Sequence, residues 1–115
     1  MTGGGFAASL QPPYYAVIFT SRRTDGENGY ADASDAMALL AAQQPGFLGI
    51  ESARAADGLG ITVSYWNSED AIAHWRRDAE HAAIRERGRS LWYEHYEVRV
   101  ARVERAYAGP PERMP

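Results

Sequence analysis

A strand that runs directly into a helix sets the frame for this chain. Residues Gly60 to Arg89 read G-I-T-V-S-Y-W-N-S-E-D-A-I-A-H-W-R-R-D-A-E-H-A-A-I-R-E-R-G-R. From Ile61 to Trp66 the side chains alternate: Ile61, Val63 and Tyr65 share one face, and Thr62, Ser64 and Trp66 the other. Asn67 or Ser68 then offers a side-chain oxygen to the free N–H groups of a first helical turn. Glu69 and Asp70 follow where the helix dipole favours negative charge. Ile72 and Trp75 sit at helical spacing and face the same way. The pattern predicts an interruption at Arg76-Arg77-Asp78, a second helical piece beyond it, and an end at Gly88, a residue suited to the left-handed C-terminal position.

The other elements assemble around this unit. Residues 1–13 are rich in glycine and small residues, end in Pro12-Pro13, and read as a disordered or extended lead-in. A strand is expected from Tyr14 to Arg22; its consecutive apolar run Ala16 to Phe19 suits a central strand covered on both faces. A polar turn, Thr24 to Gly29, leads to a helix from Tyr30 to Gln44. Its stripe is Ala33, Met37, Leu40 and Gln44, with Ala36, Leu39 and Ala41 beside it. Pro45-Gly46 stops that helix, and Phe47 to Ala55 forms the next strand. Asp57-Gly58 and Gly60 turn it back as a hairpin. The last strand spans Leu91 to Tyr107. Tyr96, Val98 and Val100 lie in one register and Ala101, Val103 and Tyr107 in the other, so a bulge is expected near Val100 to Arg102. The domain thus covers residues 14–107, and residues 108–115 read as a loose tail.

The order βαββαβ predicts an α+β, ferredoxin-like fold: a four-stranded antiparallel sheet with both helices on one face. The second face also carries apolar residues, and nothing else in the chain is left to cover it. A second copy can, which predicts a homodimer packed sheet to sheet.

Composition narrows the function. One domain is the natural reading of 115 residues. The net charge of -3 argues against nucleic-acid binding. The absence of cysteine excludes disulfides, thiolate metal sites and thiol nucleophiles. No apolar run is long enough to span a bilayer, and the N-terminal residues make a poor signal peptide, so the expected location is the cytoplasm with no membrane partner.

Several stretches carry a family resemblance: Q-P-G-F-L-G-I-E-S at Gln44 to Ser52, I-T-V-S-Y-W-N-S at Ile61 to Ser68, Trp75, His81, and G-R-S-L-W-Y at Gly88 to Tyr93. Over about Tyr14 to Tyr107 the chain resembles the antibiotic biosynthesis monooxygenase (ABM) domain family of the dimeric α+β barrels. The resemblance implies the fold and the dimer, and a choice of chemistries, since members range from cofactor-free oxygenases to heme-degrading enzymes and proteins of no known activity.

Three functional readings follow. The first is a cofactor-independent monooxygenase acting on a small aromatic or enolic compound, whose substrate supplies its own electrons to oxygen. Such an enzyme needs an aromatic pocket and one base. Trp66 and Trp75 are the candidate pocket wall between sheet and helix. His81 is the candidate base, because it begins the second helical piece, where a helix N-terminus favours the neutral imidazole. His74 reads as a surface residue, and Trp92, Tyr93, His95 and Tyr96 as an aromatic cluster suited to the dimer interface. The second reading is heme degradation. The resemblance would then require an Asn on the first strand and a His ten residues after the helical Trp. The first strand has no Asn, and Arg85 stands ten residues after Trp75. The third is a non-catalytic dimer that binds a small molecule, favoured by the lack of a visible acid–base pair or nucleophile constellation. No cofactor and no metal ion is expected.

Overall fold

The computed structural model describes residues 5–7, 10–26, 30–86 and 93–109, with the side chains of 30–33 and 80–86 excepted. In chain order the elements are β1 (Tyr14–Arg23), α1 (Tyr30–Ala42), β2 (Phe47–Arg54), β3 (Leu59–Trp66), α2 (Glu69–Glu86) and β4 (Tyr93–Val103). The strands form one antiparallel sheet in the order β2-β3-β1-β4, the ferredoxin-like α+β arrangement.

The consecutive apolar residues of β1 have the expected cause. β1 lies between β3 and β4, and the neighbouring residues Ala16 and Val17, which point to opposite faces, are both buried. Tyr15 pairs with Trp66 and Val17 with Ser64, so these side chains share one face. Val17 and Trp66 form a core cluster with Ala41 of α1 and Ile72 of α2, which puts both helices on that face. The opposite face carries Tyr14, Ala16 and Ile18 of β1 beside Tyr65 and Val63 of β3.

Local chemistry explains the element ends. Ser68 caps α2, its Oγ accepting the Ala71 N–H at 3.1 Å. Asn67 serves instead as a tie, its N–H donating to the Gly46 carbonyl at 2.9 Å. Gly46 has a φ of 88°, and a β-carbon there would fall 2.5 Å from Asn67 Oδ1, so the stop after α1 requires glycine. Across the hairpin, Arg54 donates to the Gly58 carbonyl and, from the same edge, to Ser21 of β1.

Three expectations are corrected. First, α2 runs unbroken through Arg76 to Asp78. Ile72 and Ala79 are buried with Trp75 between them, a continuous apolar stripe, while Arg76 and Arg77 occupy the exposed flank. Second, β4 has no bulge at Val100 to Arg102; its irregularity lies where Arg22 pairs with His95 and Arg23 with Tyr93. The change of apolar phase needs no bulge, because Val98 and Val100 face the helix side and Ala101 and Val103 the other. Third, α1 ends at Ala42 and buries Ala41, while Leu39 points outward at 62 % exposure.

Candidate functional site

Trp66, at the end of β3, is fully buried. Its Nε1 donates to Ser64 Oγ at 2.9 Å, so the one polar atom of this ring is satisfied within its own strand. Phe47 meets it edge to face at 5.4 Å, and the Trp75 ring lies 5.5 Å away at an interplanar angle of 37°. Trp75 differs in one respect: its Nε1 is buried and has no hydrogen-bond partner among the described residues. The two tryptophans expected to line a wall between sheet and helix are therefore in contact, one with its N–H used and one with its N–H unused.

The aromatic layer continues along the same face toward β4. Phe19 shares the face of Val17, and its ring centroid lies 5.4 Å from Tyr93 and 5.3 Å from Tyr96. These β4 tyrosines thus pack within the protomer; Trp92 lies outside the described residues. Beyond them Val98 and Val100 are 49 % and 48 % exposed, so the described residues leave the helix-side surface of β4 uncovered.

The histidines separate. His74 is exposed, and its Nδ1 lies 3.0 Å from Gln44 Oε1; Gln44 in turn donates from Nε2 to Asp78 Oδ2 at 3.1 Å. This agrees with a surface role that ties the end of α1 to α2. His81 belongs to the same unbroken helix, well inside it, so the argument from a helix N-terminus no longer applies to it. Its side chain lies outside the described residues. Among the described residues no group of three or more His, Cys, Asp or Glu side chains could hold a metal ion, and no helix is long and apolar enough to cross a membrane.

A polar constellation missed in the sequence lies on the opposite face. Tyr65 donates its hydroxyl to Glu51 Oε1 at 2.7 Å, and the Ala7 N–H donates to Glu51 Oε2 at 2.9 Å. Tyr14 meets Tyr65 edge to face with centroids 5.6 Å apart. Burial, then the hydrogen bond to Glu51 and its charge, with a smaller effect of Tyr14, push the Tyr65 phenol up to about 12. These residues border a cleft of about 170 Å³, and a broader depression of about 540 Å³ extends from Glu51 over Ala53, Ile61 and Val63. Glu51 was detectable as the one charge within the run F-L-G-I-E-S-A. Its partner was not, because the pairing of Glu51 with Val63 is a matter of register.

A ferredoxin-like sheet with two helices on one face and an aromatic layer between them defines a small protein of the α+β class. Residues 13–87 match the Antibiotic biosynthesis monooxygenase family, and the chain belongs to that family. It is 61 % identical over 95 residues to the uncharacterized protein YqjZ of Bacillus subtilis, covering 83 % of each chain. Among solved structures it is similar to SnoaB, a cofactor-independent oxygenase from Streptomyces nogalater, with a TM-score of 0.66 and 16 % identity over 88 % of this chain and 100 % of that one. It is also similar to PA3566 from Pseudomonas aeruginosa, with a TM-score of 0.62 and 14 % identity over 86 % of this chain and 100 % of that one. At these identities the structural likeness is one of fold.

Proposed function

We propose that this protein is a cofactor-independent monooxygenase acting on a small aromatic or enolic compound, and that it works as a homodimer joined through the sheet face away from the helices. The observation that carries the reading is the unpartnered, buried indole N–H of Trp75 beside Trp66. Leaving a buried donor unpaired costs about 1–3 kcal/mol. A phenolate or enolate oxygen bound in the aromatic layer would accept that hydrogen bond and remove the cost. Membership of the family and the fold shared with SnoaB support the same chemistry.

The reaction needs a substrate that can lose a proton and give electrons directly to oxygen. A base removes the proton, the carbanion reduces O2, and recombination gives a hydroperoxide. Loss of water then converts a CH2 group into C=O, with one oxygen atom in the product and the other in water. The protein's part is to exclude solvent, orient the ring and take the proton. Trp66 and Trp75 form the wall in this scheme, and His81 on α2 is the candidate base.

Oxygen consumption with anthrone as probe tests the proposal. Uptake is expected without added flavin, metal or heme, and label from 18O2 should enter the quinone. Trp75→Phe, which keeps an aromatic ring and removes the N–H, should lower turnover roughly tenfold or more. His81→Ala should lower it about 10²- to 10⁴-fold with an unchanged unfolding midpoint. An inert wild-type chain across a panel of such phenols would leave the non-catalytic, ligand-binding dimer as the better reading.

A further inference from the structure

On the sheet face away from the helices, the three strand registers line up a single row of side chains. Glu51 of β2 pairs with Val63 of β3, Val63 with Ile18 of β1, and Ile18 with Arg99 of β4. The row is apolar in the middle and ends in one negative and one positive charge. Three strand spacings of about 4.8 Å hold those ends about 14 Å apart, so they do not meet within a protomer. Glu51 is the one charged residue that β2 brings to this face. It is half-buried, and the ion pairs among the described residues do not include it. Each end is already aimed. Tyr65 Oη donates to one Glu51 oxygen at 2.7 Å and the Ala7 N–H to the other at 2.9 Å, while Arg99 donates from Nη2 to Glu97 Oε1 at 2.6 Å. A carboxylate oxygen accepts more than one hydrogen bond and a guanidinium has five donors, so both ends keep capacity for a further partner.

The symmetry of a dimer decides what such a row meets. Sheets packed face to face lie about 10 Å apart with their strands aligned to within about 30°. A two-fold axis across the strands would set Glu51 on Glu51 of the partner subunit, like charge on like. An axis along the strands, above the line between β3 and β1, lays the row on its own reverse. Glu51 then lies opposite Arg99 of the partner subunit, twice by symmetry, and Val63 opposite the partner's Ile18. The twist between sheets moves the ends of the row by about 4 Å, within reach of an arginine side chain. The flanking rows agree. Gly49, Tyr65, Ala16 and Ala101 carry no charge, and in the row of Ala53, Ile61, Thr20 and Glu97 the single charge is held by Arg99 and His95 of its own strand. We infer that, in the dimer proposed above and resting on it, the two-fold axis runs along the strands and two reciprocal Glu51–Arg99 ion pairs set the register of the copies.

Sedimentation of Glu51→Arg and Arg99→Glu, alone and mixed, tests the pairing. Each variant alone puts like charges at both contacts and should dimerise at least roughly a hundredfold more weakly than wild type. Mixed in equal amounts, the two should form a heterodimer of near wild-type affinity, because both contacts are then opposite in sign. A role within the protomer alone gives no such rescue. Should Glu51→Arg fail to fold, Arg99→Gln serves instead: the position is exposed, and its dimer should be roughly tenfold weaker than wild type and less sensitive to salt. A monomeric wild type would overturn the dimer and the pairing with it. A dimeric wild type whose affinity is unchanged by Arg99→Glu, or a mixture as weak as its parts, would overturn the pairing and leave the sheet-face dimer standing.

Discussion

The Arg54 guanidinium on β2 reaches across β3 to Ser21 on β1, donating to its hydroxyl at 2.8 Å and its carbonyl at 3.3 Å. Gly60 of β3 lies beneath the bridge, and a β-carbon there would fall 2.5 Å from Arg54 Cζ. Gly60→Ala should therefore push the guanidinium off Ser21, whose side chain is buried, and cost about 1–3 kcal/mol. Arg54→Ala should cost a similar amount, and the double variant much less than the sum. Urea unfolding of the three variants measures the coupling; strict additivity would show that Gly60 acts by some other route.

The two tryptophans should separate in stability. Trp66 is fully buried with its N–H satisfied, so Trp66→Ala is expected to cost roughly 3–5 kcal/mol. Trp75 is only partly buried, and Trp75→Ala should cost less. Trp75→Phe should stay close to wild type, because the loss of ring area is offset by removal of an unpaired donor. Denaturation midpoints of the three variants check the order.

Tyr65 gives the fold a signature in alkali. Its phenol has the ordinary value of 10.0 in the unfolded chain and about 12 in the folded one. Between those values the folded chain holds the extra proton. Its contribution to stability is thus complete below pH 10 and falls as the pH rises toward 12. Phenolate absorbance should show a late tyrosine step near pH 12 that Tyr65→Phe removes. Glu51→Gln should bring that late step part of the way down, since burial, the largest cause of the shift, remains. A titration unchanged by Glu51→Gln would contradict the pairing.

The sheet face away from the helices is expected to be the dimer contact. Leu59 and Ile61 are 42 % and 47 % exposed there within one protomer. Sedimentation should give twice the 12.7 kDa chain mass, and Ile61→Asp should give the monomer without loss of folding. A monomeric wild type at high concentration would refute this interface.

How much of this could be read from the residues depended on whether the cause was local. Ala16 to Phe19 announced a central strand, and Pro45-Gly46 announced a helix end, because adjacent residues decide both. The charged triplet Arg76-Arg77-Asp78 misled for the opposite reason. Its polarity was local, but the stripe that carries α2 through it skips to Ala79. The two registers of β4 were correctly seen as distinct and wrongly reconciled by a bulge, since both sheet faces accept apolar side chains. Neither Glu51 with Tyr65 nor Arg54 with Ser21 had any signature in the sequence, as each pair meets only once the strands are in register.

The position of β1 also fixes an order of events during synthesis. β1 leaves the ribosome first, yet its neighbours are β3 and β4, with Tyr15 meeting Trp66 and Tyr14 meeting Val103. Such long-range pairing makes folding slow to begin. Until β4 emerges, the apolar run Ala16 to Phe19 has one open edge, the kind of surface that aggregates or recruits a chaperone. A nascent chain stalled after Glu86 is therefore expected to hold a chaperone that the released, complete sheet does not.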